Sequence, residues 1–356
     1  MKIGIVTQSL LNNYGGILQN YALQKVLKEL GHEPITIDYV SRYSFKKYII
    51  YTLKTFFIRL MCKKKSRGYV PFYRKRNTMM SDFVVSNVSV TKPVKKYTSR
   101  ILDEYGIEGL IVGSDQVWRP EYNNDLFDMF FSFAKEKNIL KISYAASFGI
   151  DFWNYTMGQT LKCKELIKDF KAISVRESSG IDLCKTKLNV DAVEVLDPTL
   201  LLPKEFYEKI CCNIPRTKVP YLASYILDLD RDKKDLIYKI AEKKKVPVEI
   251  YGADLDAKLS IPEWLSMFRD AEFIVTDSFH GTLFSIIFRK NFITIGNKNR
   301  GLSRFNSILS KLGLQDRLIS DVSDYSGYLN IDWSKVEDLL DIAKSRSYDF
   351  LNSNIK

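Results

Sequence analysis

Histidine and cysteine are scarce in this chain of 356 residues. The two histidines, His32 and His280, exclude a histidine-rich metal centre, and the five cysteines include no CxxC pair. An odd number of cysteines scattered along the chain is typical of a reduced cytoplasmic protein without a disulfide framework, a zinc site or another metal. No apolar run approaches the roughly 18 residues of a membrane span. The first residues, MKIGIVTQSL, have the pattern of a strand and not that of a signal peptide.

Acidic residues are also few relative to basic ones. Lys and Arg number 54 against 42 Asp and Glu, which gives a formal net charge of +12. Such a surplus favours phosphorylated metabolites, nucleic acid or acidic lipid headgroups, although a basic protein without charge-driven function fits equally. No recognition-helix or RNA-binding motif is present, so we expect no nucleic-acid partner.

Strand-like and helix-like segments alternate along nearly the whole chain, a pattern typical of parallel α/β sheets. The length corresponds to about two domains, and a rise in Pro and charge over residues 203–219 indicates a linker. We therefore predict two Rossmann-like α/β lobes with a cleft between them, at residues 1–205 and 216–330. A final amphipathic helix is predicted within residues 333–356.

Residues 42–76 differ from the rest because they combine aromatic, aliphatic and basic residues without a single acid. This composition predicts an amphipathic basic helix followed by a basic loop, inserted in the N-terminal lobe. Such a segment suits contact with a membrane surface, but also a helix that packs on the sheet and turns its basic side to water. The expected location is cytoplasmic, with peripheral contact with the inner face of the cytoplasmic membrane as the open alternative.

The clearest candidate site lies in TDSFHGTLFSIIF, where an apolar strand ends at a polar turn before a helix. The backbone N–H groups of a helix N-terminus attract anions, so Ser278, His280, Gly281 and Thr282 are candidate ligands of a phosphate. His280 could also act as an acid. The alternative is a buried structural histidine.

A second polar turn, VGSDQVW, follows another apolar strand. Asp115 could act there as a base, or it could cap a following helix. The loop NNYGG precedes a helix and resembles a phosphate-binding loop only weakly, since neither GxGxxG nor GxxxxGK[ST] is present. Arg176, Arg300 and Arg304 could recognise carboxylate or phosphate, although a surface role is the default for each arginine alone.

Several motifs occur together and in a fixed order from Met1 to about Arg317. They are GIVTQSLLNNYGGILQNYALQKVLKELGHEPITIDY, GLIVGSDQVWRP, ISYAASFG, ISVRESSG, LDPTLLL and IVTDSFHGTLFSIIFRKNFITI. This ordered set resembles the polysaccharide pyruvyl transferase family. The resemblance implies a two-lobed fold similar to the GT-B glycosyltransferases. It also implies transfer of the enolpyruvyl group of phosphoenolpyruvate to a sugar as a ketal, without a further cofactor.

The resemblance also implies roles for individual residues. His280 matches a histidine that contacts phosphoenolpyruvate, Arg176 matches an arginine that holds the same donor, and Asp115 matches the acid of a GSD-type turn. The C-terminal lobe then takes phosphoenolpyruvate, and the N-terminal lobe takes a glycan acceptor carried on a polyprenyl diphosphate. The residues expected to contact the acceptor are Asn13, Tyr14, Gly15, Gly16, Gln19 and Gln116.

One departure from the family pattern concerns the expected phosphate site. Many members have Arg-Leu-His where this chain has Ser278-Phe279-His280, so one positive charge is missing. Arg300 or Arg304 could supply it, or the donor could differ. The other hypotheses are a GT-B glycosyltransferase that uses a nucleotide sugar, and a non-enzymatic basic protein that binds membranes.

Overall fold

A computed structural model of the chain describes residues 1–40, 78–123, 125–252, 259–296, 301–320, 322–325, 327 and 330–356. The first half forms a parallel sheet in the strand order β2-β1-β3-β4-β5-β6. Its strands are β1 (Lys2–Val6), β2 (Glu33–Thr36), β3 (Gly109–Val112), β4 (Leu140–Ala146), β5 (Ala172–Val175) and β6 (Val193–Glu194).

The second half forms another parallel sheet, in the order β11-β10-β9-β7-β8. Its strands are β7 (Leu222–Ile226), β8 (Val248–Gly252), β9 (Phe273–Thr276), β10 (Asn291–Ile295) and β11 (Leu318–Ile319). The central strands of both sheets are buried apolar runs, as expected for parallel sheets covered by helices on both faces. The predicted fold class, two Rossmann-like α/β lobes, is confirmed.

Helices connect the strands and cover the sheets. The first, α1, ends at Glu29, and Gly31 beyond it has a φ of 82°, a left-handed conformation that glycine adopts without strain. The helices are α1 (Tyr14–Glu29), α2 (Thr78–Asn87), α3 (Ser99–Tyr105), α4 (Met157–Leu166), α5 (Ser178–Leu183), α6 (Lys204–Ile210), α7 (Arg231–Lys244), α8 (Ile261–Asp270), α9 (Phe279–Ile287), α10 (Ser303–Lys311) and α11 (Trp333–Asn354).

The segment 203–219, predicted as a linker, contains helix α6. Tyr207 of this helix is buried, and its ring packs edge-on against Phe284 of α9 at 5.1 Å. Arg269 donates hydrogen bonds to the carbonyl oxygens of Cys211 and Ile214. The segment therefore packs on the C-terminal lobe, while Phe206 and the Tyr207 hydroxyl also contact Tyr21 and the Thr199 carbonyl of the N-terminal lobe.

The final helix α11 returns to the N-terminal lobe. The Ser347 hydroxyl accepts a hydrogen bond from the Leu196 amide at 3.0 Å, and the ring of Phe350 lies 6.3 Å from that of Tyr144. These contacts fix α11 against the N-terminal lobe. No helix of the described residues is both long and apolar enough to span a bilayer. The basic segment predicted at residues 42–76 lies outside the described residues.

Candidate functional site

The site lies between the two sheets, at the carboxyl ends of their strands. Asp115 follows β3, Arg176 follows β5, Asp197 follows β6, and His280 follows β9 at the start of α9. Ligands of open α/β sheets bind at this edge, since the helix N-termini and strand ends converge there. The fold therefore brings together candidates from distant parts of the sequence.

A buried carboxylate, Asp197, lies at the centre of this cluster. Its Oδ2 is 2.7 Å from Nη1 of Arg176 and 3.5 Å from Nε2 of His280. The hydroxyl of Ser114 donates to the same oxygen at 3.2 Å, and the amide and hydroxyl of Thr199 donate to Oδ1. Burial alone would raise the pKa of Asp197, but His280, Arg176 and the Thr199 amide together hold this pKa well below its ordinary value.

His280 comes from the C-terminal lobe and packs directly on the backbone of the N-terminal lobe. A Cβ atom added at Gly15 would overlap the imidazole ring, so this close approach requires glycine at the start of α1. The Nε2 atom is buried and makes no hydrogen bond, and its distance to Asp197 is within the range of an ion pair. The histidine thus lies at the contact between the lobes, with Nε2 directed at the Asp197 carboxylate.

Asp115 lies in a tight turn rather than at a helix N-terminus. Its φ is 84°, its Oδ1 accepts a hydrogen bond from the Gln116 amide, and its Oδ2 accepts one from Asn13 Nδ2 at 3.3 Å. Nη2 of Arg176 lies 3.5 Å from Oδ1. The helix-capping alternative therefore does not describe Asp115, which joins the arginine and Asn13 in the cleft.

The other residues expected to contact an acceptor differ in their surroundings. The amide of Gln19 is buried and donates to Thr7 Oγ1 and the Gly16 carbonyl, while it accepts from the Ser114 amide. It therefore holds the turn before Asp115 and is not turned to the cleft. Tyr14 stacks on Trp264 of the opposite lobe, with the ring centroids 5.2 Å apart.

The turn around His280 is shaped by its own hydrogen bonds. Ser278 caps α9, because its hydroxyl accepts from the Gly281 amide at 3.3 Å. The hydroxyl of Thr282 bonds to the Ser278 carbonyl and pairs with Thr294, so it is directed away from the cleft. A Cβ atom at Gly281 would overlap the hydroxyl of Thr276. This turn positions His280, and Ser278 is its only hydroxyl group that lines the cleft among the described residues.

The second arginine predicted for the anion site, Arg304, is buried in α10 and lines the same cleft. Burial, and then the neighbouring Arg176, lower the pKa of Arg304 to about 10. Arg304 therefore provides a positive charge in the same cleft as Ser278, whose side chain is uncharged. The third candidate, Arg300, lies outside the described residues.

Two acidic residues of the site, Asp197 and Glu177, were not predicted from the sequence. Asp197 lies within LDPTLLL, and a carboxylate directly after a short apolar strand is the signal that could have identified it. Glu177 follows Arg176 and is also buried; its Oε1 accepts from the Ser147 hydroxyl and the amides of Phe148 and Gly149. Burial raises the pKa of Glu177 above its ordinary value, although both arginines oppose this.

The cleft itself is narrow, with a cavity volume of about 80 Å³. Larger cavities of about 180 and 260 Å³ lie along α11, away from the cluster of polar groups. In the described part of the chain, no group of three or more His, Cys, Asp or Glu residues could hold a metal ion. Residues from both lobes line the cleft, and they include Asn13, Gly15, Asp115, Gln116, Trp264, Ser278, Phe279, His280 and Arg304.

Solved structures with a similar fold include proteins in complex with UDP-GlcNAc or UDP. UDP-GlcNAc 2-epimerase from Neisseria meningitidis, bound to UDP-GlcNAc, is 7% identical with a TM-score of 0.50, covering 99% of this chain and 94% of its own. S. aureus MnaA with UDP is 9% identical with a TM-score of 0.50, covering 99% of this chain and 91% of its own. At such low identity these likenesses establish the two-lobed GT-B-type fold alone.

Sequence comparisons identify the family. A comparison with curated proteins returns no match. A family model described as polysaccharide pyruvyl transferase matches residues 13–299, a range that includes Asp115, Arg176, Asp197 and His280. This range covers most of the chain and both lobes. The chain therefore belongs to the polysaccharide pyruvyl transferase family.

Proposed function

We propose that the protein transfers the enolpyruvyl group of phosphoenolpyruvate to two hydroxyl groups of one sugar, forming a ketal and releasing phosphate. Family membership supports pyruvyl transfer. The single observation that carries the rest is the meeting of His280, Arg176 and Asp197 between the lobes. This meeting provides a proton donor beside a buried cation in one small cleft.

The charges of the cleft suit an anionic donor. Phosphoenolpyruvate carries about three negative charges, and arginines and helix N-termini are the groups that bind such anions. Arg176 and Arg304 provide guanidinium groups at the start of α9. Because Arg304 lines the cleft beside Ser278 and His280, it is the stronger candidate for the phosphate.

His280 is the proposed proton donor. In the first step it protonates the methylene carbon of the enol, which becomes a methyl group, while a sugar hydroxyl attacks the adjacent carbon. Asp115 accepts the proton of that hydroxyl, and Asn13 holds this carboxylate in place at 3.3 Å. Phosphate then leaves with the electron pair of its C–O bond and takes the proton held by Asp115. A second hydroxyl of the same sugar attacks the same carbon and gives its proton to His280, which restores the proton donor.

The acceptor is the least defined partner. The family description supports a glycan, and we propose a hexose such as galactose in a precursor of a capsular or other surface polysaccharide, carried on a polyprenyl diphosphate. In that case the reaction takes place in the cytoplasm, at the inner face of the membrane. No further cofactor or metal takes part in the proposed steps.

Incubation with phosphoenolpyruvate and a panel of lipid-linked oligosaccharides tests this function. We expect one pyruvyl ketal per acceptor by mass spectrometry and one phosphate released for each ketal. Thermal-shift measurements with phosphoenolpyruvate, UDP-sugars and CDP-sugars provide the comparison. Stabilisation by a nucleotide sugar, with no ketal formed, would replace pyruvyl transfer by glycosyl transfer.

A separate prediction concerns the basic segment 42–76. Each Lys or Arg near an anionic membrane contributes on the order of 1 kcal/mol of binding free energy, which salt weakens. Replacement of Lys63, Lys64, Lys65 and Arg67 by Gln should therefore release the protein from anionic vesicles in flotation assays, with activity on a soluble acceptor analogue retained. Absence of vesicle binding by the wild type at low salt would contradict membrane contact.

A further inference from the structure

We propose that Phe279 is a positioning residue, whose ring holds one arginine from each lobe so that the two form a single anion site when the lobes are closed. The inference rests on the proposed function only in naming phosphoenolpyruvate as the anion. The site itself is a phosphate site built from Arg176 and Arg304.

The geometry of the ring carries this inference. The Cζ atom of Arg176 lies 4.5 Å from the ring centroid of Phe279, and the Cζ atom of Arg304 lies 5.1 Å from it. Both distances are within the roughly 6 Å over which a guanidinium is attracted to an aromatic ring, and removal from water strengthens the attraction. Only 4% of Arg176 and 5% each of Phe279 and Arg304 are exposed.

The ring is itself held in place by neighbouring rings. Phe305 packs edge-on against it at 5.8 Å, and the imidazole of His280 lies 5.4 Å away. Phe279 and His280 are consecutive residues at the start of α9, and each ring has its own packing contact, Phe279 with Phe305 and His280 with Gly15. Substitution of Phe279 should therefore change donor binding through the two arginines and leave the His280 side chain in place.

The arginines come from different lobes and repel each other. Arg176 follows β5 of the N-terminal lobe, and Arg304 belongs to α10 of the C-terminal lobe. Bringing two buried guanidinium groups to one ring costs electrostatic free energy, which the nearby carboxylates Asp197 and Glu177 reduce. A phosphate bound between the arginines would remove the remaining repulsion, and anion binding would then favour the closed arrangement.

The variant Phe279→Leu tests the proposal, because leucine remains apolar but lacks the aromatic ring. We expect the Kd for inorganic phosphate, by calorimetry, and the KM for phosphoenolpyruvate to rise about 5- to 30-fold, with kcat reduced far less. Phe279→Tyr keeps the ring and should restore both constants to near the wild-type values. Small-angle scattering should show that phosphate compacts the wild type but not Phe279→Leu.

The matched control is Phe284→Leu, a buried phenylalanine of the same helix whose ring contacts Trp264 and Tyr207 instead of an arginine. It should lower stability and leave the Kd for phosphate unchanged. An unchanged phosphate Kd in Phe279→Leu, equal effects of both leucine variants, or no phosphate binding by the wild type would overturn the inference. If phosphate binds as expected but no ketal forms, the proposed function fails while the anion site stands.

Discussion

His280→Ala should reduce pyruvyl transfer by about 100- to 10,000-fold, the range for loss of a positioned acid or base. The histidine lines the cleft, lies 3.5 Å from the Asp197 carboxylate and contacts Gly15 of the opposite lobe. Its removal takes away the proposed proton donor and leaves the arginines in place. Phosphoenolpyruvate should therefore still bind, with most of the loss in kcat.

Turnover, donor affinity and melting temperature are to be measured together for this variant. His32→Ala is the matched control, because His32 is the other histidine of the chain and lies beyond the end of α1, away from the cleft. It should retain wild-type turnover. Normal turnover in His280→Ala would remove the histidine from the mechanism, and insoluble protein would favour a buried structural role.

The order of strands and helices could be predicted because the hydrophobic pattern of each segment is local. The strand that MKIGIVTQSL enters occurs at Lys2–Val6, and TDSFHGTLFSIIF contains β9, which ends at Thr276, and helix α9. Residues 203–219 could not be assigned in this way, since their composition is that of a linker and only tertiary packing buries Tyr207 of α6. The sequence analysis also missed α10, although its buried Phe305, Ile308 and Leu309 have helical spacing.

The site could be predicted in part for a similar reason. His280 and Asp115 each follow an apolar strand, so their position at a sheet edge is visible in the sequence. The closeness of His280 to Gly15 and of Arg176 to Asp197 depends on how the lobes meet, and no local pattern records it. Gln19 was predicted to contact the acceptor, but its side chain is buried and makes hydrogen bonds to Thr7, Gly16 and Ser114.

Asp197→Asn should lower the free energy of unfolding by about 3–5 kcal/mol, the usual cost of leaving one member of a buried ion pair without its partner. Asp197 is 2% exposed and Arg176 is 4% exposed. The loss should be seen in urea unfolding at neutral pH. Asp151→Asn, at an exposed position, is the matched control and should change the stability little.

The pH dependence follows from the lowered pKa of Asp197. A carboxyl group with a lower pKa in the folded than in the unfolded protein contributes stability above its unfolded pKa of about 3.9, and loses it as the pH falls further toward the folded value. The difference in stability between the wild type and Asp197→Asn should therefore be complete at neutral pH and shrink below about pH 4. A difference independent of pH would indicate that shape, and not charge, explains the effect.

A double variant separates the ion pair from the other contacts of Asp197. Arg176→Met alone leaves the carboxylate without its closest cation, and Asp197→Asn alone leaves the guanidinium without its anion, so each should be strongly destabilising. The combination removes both charges, and its loss should be smaller than the sum of the single losses by about 1–3 kcal/mol. Strictly additive losses would show that Arg176 and Asp197 do not stabilise each other across the 2.7 Å contact. In that case the carboxylate would act mainly through Thr199, whose amide and hydroxyl donate hydrogen bonds to Oδ1, the carboxylate oxygen that Arg176 does not contact.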